Sequence, residues 1–284
     1  MIKEHYKADL WLLLATFFWG ITFVSVKDAM QYATPLAFLG IRFLLAGLLL
    51  LPFCYKAFTR LDWKGWRDGI ILGAFLFGGF AFQTAGLVHT TATRSAFITG
   101  LAVVLVPVFS IAMLKKKIDR WLVLGALLAA GGLYVLSRPA GGGFNQGDLL
   151  TALCAVCFAV EIILVEIYTK RHAPMDMVMV QVITTVALSC LLVGAFERPA
   201  IHLNGSLWLD LLITSVLATV GSLAIQFTQQ RKTDAARAAV IYTLEPLFAG
   251  LFAYLLMGET MNGHGWLGAG MIVAGMLASE LSKQ

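Results

Sequence analysis

Apolar residues in this chain come in runs of about 20, the length a helix needs to cross a bilayer core, and each run ends at a charged or Gly/Pro-rich break. Ten such segments are expected, over 9–30, 33–54, 67–88, 93–114, 119–137, 147–169, 174–196, 207–229, 236–257 and 264–281. The first run, from Leu10, has no small-residue cleavage site, so it reads as a retained helix rather than a signal peptide, and no targeting segment is evident.

Composition sharpens this reading. Of 284 residues, 59% are hydrophobic and only 13% charged, which excludes a soluble domain and points to an integral membrane protein. A net charge of +5 would suit nucleic acid, but the basic residues fall between apolar runs and build no separate basic domain. Nucleic acid is therefore not an expected partner. Cys54, Cys154, Cys157 and Cys190 lie within or at the ends of apolar runs, where neither a disulfide framework nor a zinc site has polar surroundings. The Cys154-x-x-Cys157 spacing places both thiols on one helix face and reads as packing.

The position of the charges gives an orientation. The N-terminal tail, the loops after helices 2, 4, 6 and 8, and the C-terminal tail hold sixteen Lys and Arg, including Lys115, Lys116 and Lys117. The opposite loops hold four, Lys27, Arg94, Arg138 and Arg198, and by the positive-inside rule both termini are expected in the cytoplasm.

Two halves of the sequence match. A shift of 139 places Asp9 on Asp148, Thr22 on Glu161, Pro35 on Pro174 and Pro107 on Pro246. A shift of 143 places Gln83 on Gln226, Arg94 on Arg237, Gly125 on Gly268 and Gly132 on Gly275. The pattern predicts a five-helix unit used twice, 1–143 and 144–284. Because five is odd, the second unit is inverted in the membrane, and the loop charges agree with that inversion. The expected fold is all-α, ten transmembrane helices as two inverted five-helix repeats, an arrangement suited to alternating access around a midplane site.

Polar residues inside the apolar runs are the candidate chemistry. Glu161 stands about 13 residues into helix 6, roughly 20 Å along it, where a carboxylate costs about 2.5–3.5 kcal/mol on insertion scales. It has to be protonated, paired or facing an aqueous cavity, and it is read either as a coupling or substrate group or as a buried carboxyl satisfied by a neighbouring helix. Gln83 and Gln226 suit a cavity lining or an interhelical bond. Trp19, Phe23 and Tyr242 suit an amphipathic solute or plain packing. Glu245 precedes Pro246, which removes a backbone donor and kinks helix 9. Arg42, inside helix 2, must snorkel or find a carboxylate or carbonyls, and reads as a structural anchor. Glu166 precedes Lys170 by four residues, an ordinary helix-surface pair. The sequence has no Walker-A loop, HExxH or GxSxG, so neither ATP use nor familiar hydrolytic chemistry is supported, and no metal or cofactor is expected.

The segments "LLLATFFWGITFVSVK", "TPLAFLGIRFLLAG", "GLAVVLVPVFS", "AARAAVIYTLEPLFAGLFAYLLMGE" and "GWLGAGMIVAGM" resemble the drug/metabolite transporter superfamily, specifically its EamA-type ten-helix members. The resemblance covers nearly the whole chain and implies an inner-membrane transporter, often an exporter of amino acids or related metabolites, with a central cavity between two halves. Glu259, whose first-half counterpart falls in the lysine run, is read as a helix-end or loop residue. The expectation is secondary export of a small metabolite, an amino acid first, with protons as a possible coupling ion and Glu161 as the group that would titrate. The alternatives are a multidrug or cationic-compound efflux carrier and, more remotely, an intramembrane enzyme using Glu161, His89 or Glu245. Either a monomer or a homodimer fits the apolar surface.

Overall fold

A computed structural model describes residues 2–114, 120–136, 144–232 and 235–280 of the chain; the lysines at 115–117 and Arg138 lie outside the described residues, as does the side chain of Arg237. The fold is all-helical, with ten spans. They are α1 Ile2–Ala29, α2 Pro35–Cys54, α3 Trp63–His89, α4 in two pieces Ala92–Thr99 and Ala102–Leu114, and α5 Arg120–Leu136. The second set is α6 Gln146–Tyr168, α7 Pro174–Phe196, α8 Gly205–Gln230, α9 in two pieces Ala235–Tyr242 and Glu245–Met257, and α10 Gly263–Glu280. Seven of these are long and apolar enough to cross a bilayer unaided, and the second piece of α9, α10 and the apolar part of α5 are shorter.

Local chemistry sets where the helices begin. Pro35 and Pro174, repeat partners, open α2 and α7 at a position where the missing N–H costs nothing. Asp62, Thr91, Asn145 and Asn204 cap α3, α4, α6 and α8 through side-chain oxygens. Two carboxylates from distant loops cap the remaining donors. Glu197 accepts from the Ala37 N–H at 2.8 Å and the Thr34 hydroxyl at 2.7 Å, and Glu259 accepts from the Ala92 and Thr93 N–H groups at 2.9 and 3.0 Å. Glu259 is thus a helix-end residue. Glu166 holds Lys170 at 2.8 Å and also accepts from the Ala235 N–H at 3.0 Å.

The tertiary contacts repeat. α1 packs on α8 as α6 packs on α3, α1 on α9 as α6 on α4, and α2 on α8 as α7 on α3, while α2–α7, α4–α9 and α5–α10 pair with their own counterparts. That is the contact map of two five-helix units related by a pseudo-two-fold axis. The α5–α10 crossing shows it at atomic scale: a Cβ on Gly132 would lie 2.7 Å from the Gly268 carbonyl, and one on Gly275 would lie 2.6 Å from the Gly125 carbonyl. Small residues let these backbones touch, which is what holds helices together where lipid supplies no hydrophobic drive.

The breaks in α4 and α9 also correspond. α4 stops at Thr99 and resumes at Ala102, α9 stops at Tyr242 and resumes at Glu245, and both pairs differ by 143. The expected register of Pro107 on Pro246 is therefore not the structural one. Pro246 sits at the start of the second piece of α9, whereas Pro107 lies within the second piece of α4, several residues past a break that contains no proline. The breaks face each other, since a Cβ on Gly100 would lie 3.0 Å from the Pro246 ring.

One departure from symmetry stands out. Residues Ile213–Gly221 of α8 form a wide, π-helical segment, and the corresponding part of α3 is ordinary α-helix. Thr219 and Ser222 reach back five residues to the Thr214 and Leu217 carbonyls, at 2.9 and 3.0 Å. Such segments relieve the regular ladder and commonly mark functional positions.

Candidate functional site

A central cavity lies between the two repeats, walled by α1, α3, α4, α6, α8 and α9. Twelve of its sixteen lining residues form six pairs under the repeat shifts: Trp19 with Phe158, Thr22 with Glu161, Phe80 with Leu223, Gln83 with Gln226, Thr99 with Tyr242, and Ala102 with Glu245. The cavity therefore straddles the pseudo-two-fold axis, and both helix breaks open onto it.

Of the seven residues singled out in the sequence, Trp19, Gln83, Glu161, Gln226, Tyr242 and Glu245 line this cavity. Phe23 does not. It is buried at 2% exposure in a separate apolar cluster with Val26, Phe38 and Leu87, although its repeat partner Ile162 does reach the cavity. The sequence reading missed Phe80, Thr99 and Phe158, which have no conspicuous chemistry of their own. Applying the repeat shift to the conspicuous residues would have found Thr99 from Tyr242 and Phe158 from Trp19.

The polar contacts divide by repeat. Gln83 donates through Nε2 to the Thr99 hydroxyl at 3.3 Å, joining α3 to α4. Its counterpart Gln226 donates to Glu161 Oε2 at 3.1 Å, joining α8 to α6. Glu161 is 2% exposed, and among the described residues its Oε1 has no hydrogen-bond partner. A neutral amide is a weak partner for a buried carboxylate, so this one bond offsets only part of the cost of burying Glu161. Glu245, at the first turn of its half-helix, sits where the helix dipole favours a negative charge. The Tyr242 hydroxyl donates to Gln230 Oε1 at 3.3 Å, and Gln230 donates to the Ile162 carbonyl at 2.9 Å. This chain of bonds ties α9 to α8 and α6 behind the cavity.

Aromatic rings complete the wall. Trp19 meets Tyr242 edge-on with centroids 5.2 Å apart, and its indole N–H donates to the Ala218 carbonyl in the π-helical segment at 3.1 Å. Phe80 meets Phe158 edge-on at 5.2 Å and tilts against Phe43 at 5.4 Å. The lining is a narrow, largely apolar chamber with two carboxylates, two amides and π-faces.

Arg42 does not meet the expected carboxylate or carbonyl among the described residues: its side chain is fully buried, Nε donates to the Thr219 hydroxyl at 3.0 Å, and the guanidinium lies over the Phe80 ring at 4.4 Å. His89 is exposed at the end of α3, outside the cavity lining. Among the described residues no group of three or more His, Cys, Asp or Glu could hold a metal, and all four cysteines are free thiols.

Comparison with known proteins places this geometry. The model of the EamA-like transporter family matches residues 6–138 and again 145–279, one match per five-helix unit. An uncharacterized transporter of Archaeoglobus fulgidus is 37% identical over 282 residues, covering 99% of this chain and 87% of its own. A "Probable amino-acid metabolite efflux pump" of Salmonella typhimurium is 27% identical over 284 residues, covering 93% of this chain and 91% of its own. A solved crystal structure at 22% identity superposes with a TM-score of 0.72 over 97% of both chains, a likeness of fold.

Proposed function

The chain belongs to the EamA-like transporter family, a family of transporters and not of enzymes, and from that premise we propose that it exports a small ammonium-bearing metabolite, an amino acid first, by alternating access. The observation that carries this reading is the pairing of Glu161 and Glu245 with Trp19, Tyr242 and Phe158 around one chamber on the pseudo-two-fold axis. Carboxylates hold the ammonium, and rings hold the apolar body. Inverted units that exchange conformations open such a chamber first to one side and then to the other. The name of the Salmonella typhimurium relative supports the substrate class.

Glu161 is the coupling group in this reading. A carboxyl that binds either a proton or the substrate ammonium makes the two compete, so a proton entering from outside releases the solute there. The carrier sits in the plasma membrane with the ends of α1 and α10 on the cytoplasmic side, following the excess of Lys and Arg in the loops on that side.

A second reading has one observation in its favour. Among the described residues the cavity lining contains two carboxylates and no Lys or Arg, which suits efflux of an organic cation as well as of an amino acid.

Counterflow in proteoliposomes tests both. Saturable exchange of labelled amino acids, driven to accumulation by a pH gradient, is the expected result. Exchange of permanent organic cations with none of amino acids would transfer the proposal to the second reading, and exchange of neither would remove it.

A further inference from the structure

An amino-acid carrier needs a receptor for the carboxylate, and among the described residues the cavity lining offers that group uncharged hydroxyls and amides beside two acidic residues, but no cation. Among the described residues, the strong anion-binding side chain beside it is Arg42. Its guanidinium is fully buried in the middle of α2. Nε is used by Thr219, while Nη1 and Nη2 have no hydrogen-bond partner among the described residues. No ion pair forms with it there either. Two aromatic faces cover the cation, Phe80 at 4.4 Å and Phe43 at 5.4 Å.

Phe80 belongs to two structures at once. It covers the guanidinium, and it is part of the cavity wall, edge-on to Phe158. Turning that one side chain opens the cavity to the two unused nitrogens of a planar fork whose geometry fits a carboxylate. Mere anchoring of α2 to α8 would need one donor and no charge. A buried cation that costs several kcal/mol in the membrane while offering two idle donors is organised for an anion that arrives and leaves.

We propose that Arg42 is the carboxylate-binding residue of this carrier, reached from the cavity when Phe80 swings aside, so that the site reads a zwitterion with Glu161 toward the ammonium and Arg42 toward the carboxylate. The inference rests on the amino-acid reading above and adds to it a specificity determinant. It also separates amino acids from simple amines, which would bind the carboxylates and leave Phe80 closed.

The test uses the full-length protein in proteoliposomes and compounds that share one side chain and one amine, for example L-leucine, its methyl ester and 3-methylbutylamine, extended to other amino acids in the same triplets. Wild type should exchange the free acid at least about tenfold better than the ester or the amine, the margin expected for a charge-assisted bidentate contact. Arg42→Gln should remove that preference and leave exchange of ester and amine in place. Thr219→Val, which frees Nε and keeps the charge, should retain the preference. If Arg42→Gln instead lowers all three compounds together and Thr219→Val does the same, Arg42 is an anchor for the π-helical segment and the proposal is overturned. Should Arg42→Gln fail to fold, Arg42→Lys keeps the charge without the fork and should shrink the preference. The wild-type comparison stands by itself: equal exchange of acid, ester and amine overturns the Arg42 role but leaves an amine carrier. Exchange of none of the triplets overturns the amino-acid reading, and with it this one.

Discussion

Where the first repeat puts Thr22, Thr99 and Ala102 on the cavity, the second puts Glu161, Tyr242 and Glu245 at the corresponding positions. The backbone frames match, down to the helix breaks at residues 100–101 and 243–244, yet among the described residues every titratable group in the lining comes from the second repeat. The asymmetry extends outward. Arg42, with its idle Nη groups, lies in the first repeat, and its counterpart under the shift of 139 is Gln181, also fully buried with both amide atoms unpartnered among the described residues. In the proposed mechanism, symmetry supplies the means of alternating and broken symmetry supplies the chemistry. Two identical walls would place paired carboxylates face to face, where mutual repulsion in a low dielectric keeps both from ionising.

The comparison can be broken most severely at Glu161. Glu161→Gln keeps the hydrogen bond from Gln226 available but removes the titrating group, so gradient-driven accumulation should fall to background while counterflow continues only with weakened affinity, the ammonium being left to Glu245; Thr22→Val, its mirror, should leave both nearly unchanged. Accumulation that survives in Glu161→Gln would detach coupling from this carboxyl. The exchanged variant Thr22→Glu with Glu161→Thr sharpens the point. A site centred on the pseudo-two-fold axis should recover part of the coupling with its carboxylate on the other wall.

The α5–α10 crossing should respond next, and symmetrically. Gly132→Leu and Gly275→Leu each push a side chain into a carbonyl of the facing helix, and each should lower stability by about 1–3 kcal/mol in a thermal unfolding assay in detergent. Markedly unequal losses would contradict the equivalence of the two contacts.

The amides should respond unequally. Gln226→Leu strips the hydrogen bond from a buried carboxyl and should cost about 1–3 kcal/mol, whereas Gln83→Leu strips one from the Thr99 hydroxyl, which can turn to a backbone carbonyl, and should cost less than about 1 kcal/mol. Smallest in its effect on transport, Tyr242→Phe removes the bond to Gln230 and should cost about 1 kcal/mol of stability with little change in substrate preference. A large shift in preference would mean that the hydroxyl itself meets the solute.

Much of the site is legible in the sequence. Glu161, Gln83, Gln226, Tyr242 and Glu245 stand out because polar groups in apolar runs are costly, and costly groups gather where a cavity offsets that cost. Phe23 stands out only as an aromatic one turn beyond Trp19, and aromatic side chains serve packing as readily as binding. Phe80 and Phe158 are not legible for the same cause seen from the other side: nothing in a phenylalanine says whether its ring faces lipid, core or solute. The match of Pro107 to Pro246 failed because proline is tolerated inside a membrane helix, so its position does not mark the break.

The sequence alone determined the number of spans, the two-fold repeat, and which polar residues had to be accounted for. Hydropathy and spacing carry that information because a bilayer imposes one length and one polarity on every segment that crosses it. Tertiary structure alone decided that α4 and α9 break at equivalent points, that α8 widens where Trp19 and Arg42 reach it, and that Arg42 finds a hydroxyl and two rings rather than a carboxylate. Those outcomes depend on which faces of different helices meet, and a side chain's partner across a helix interface is set by crossing geometry rather than by its neighbours along the chain.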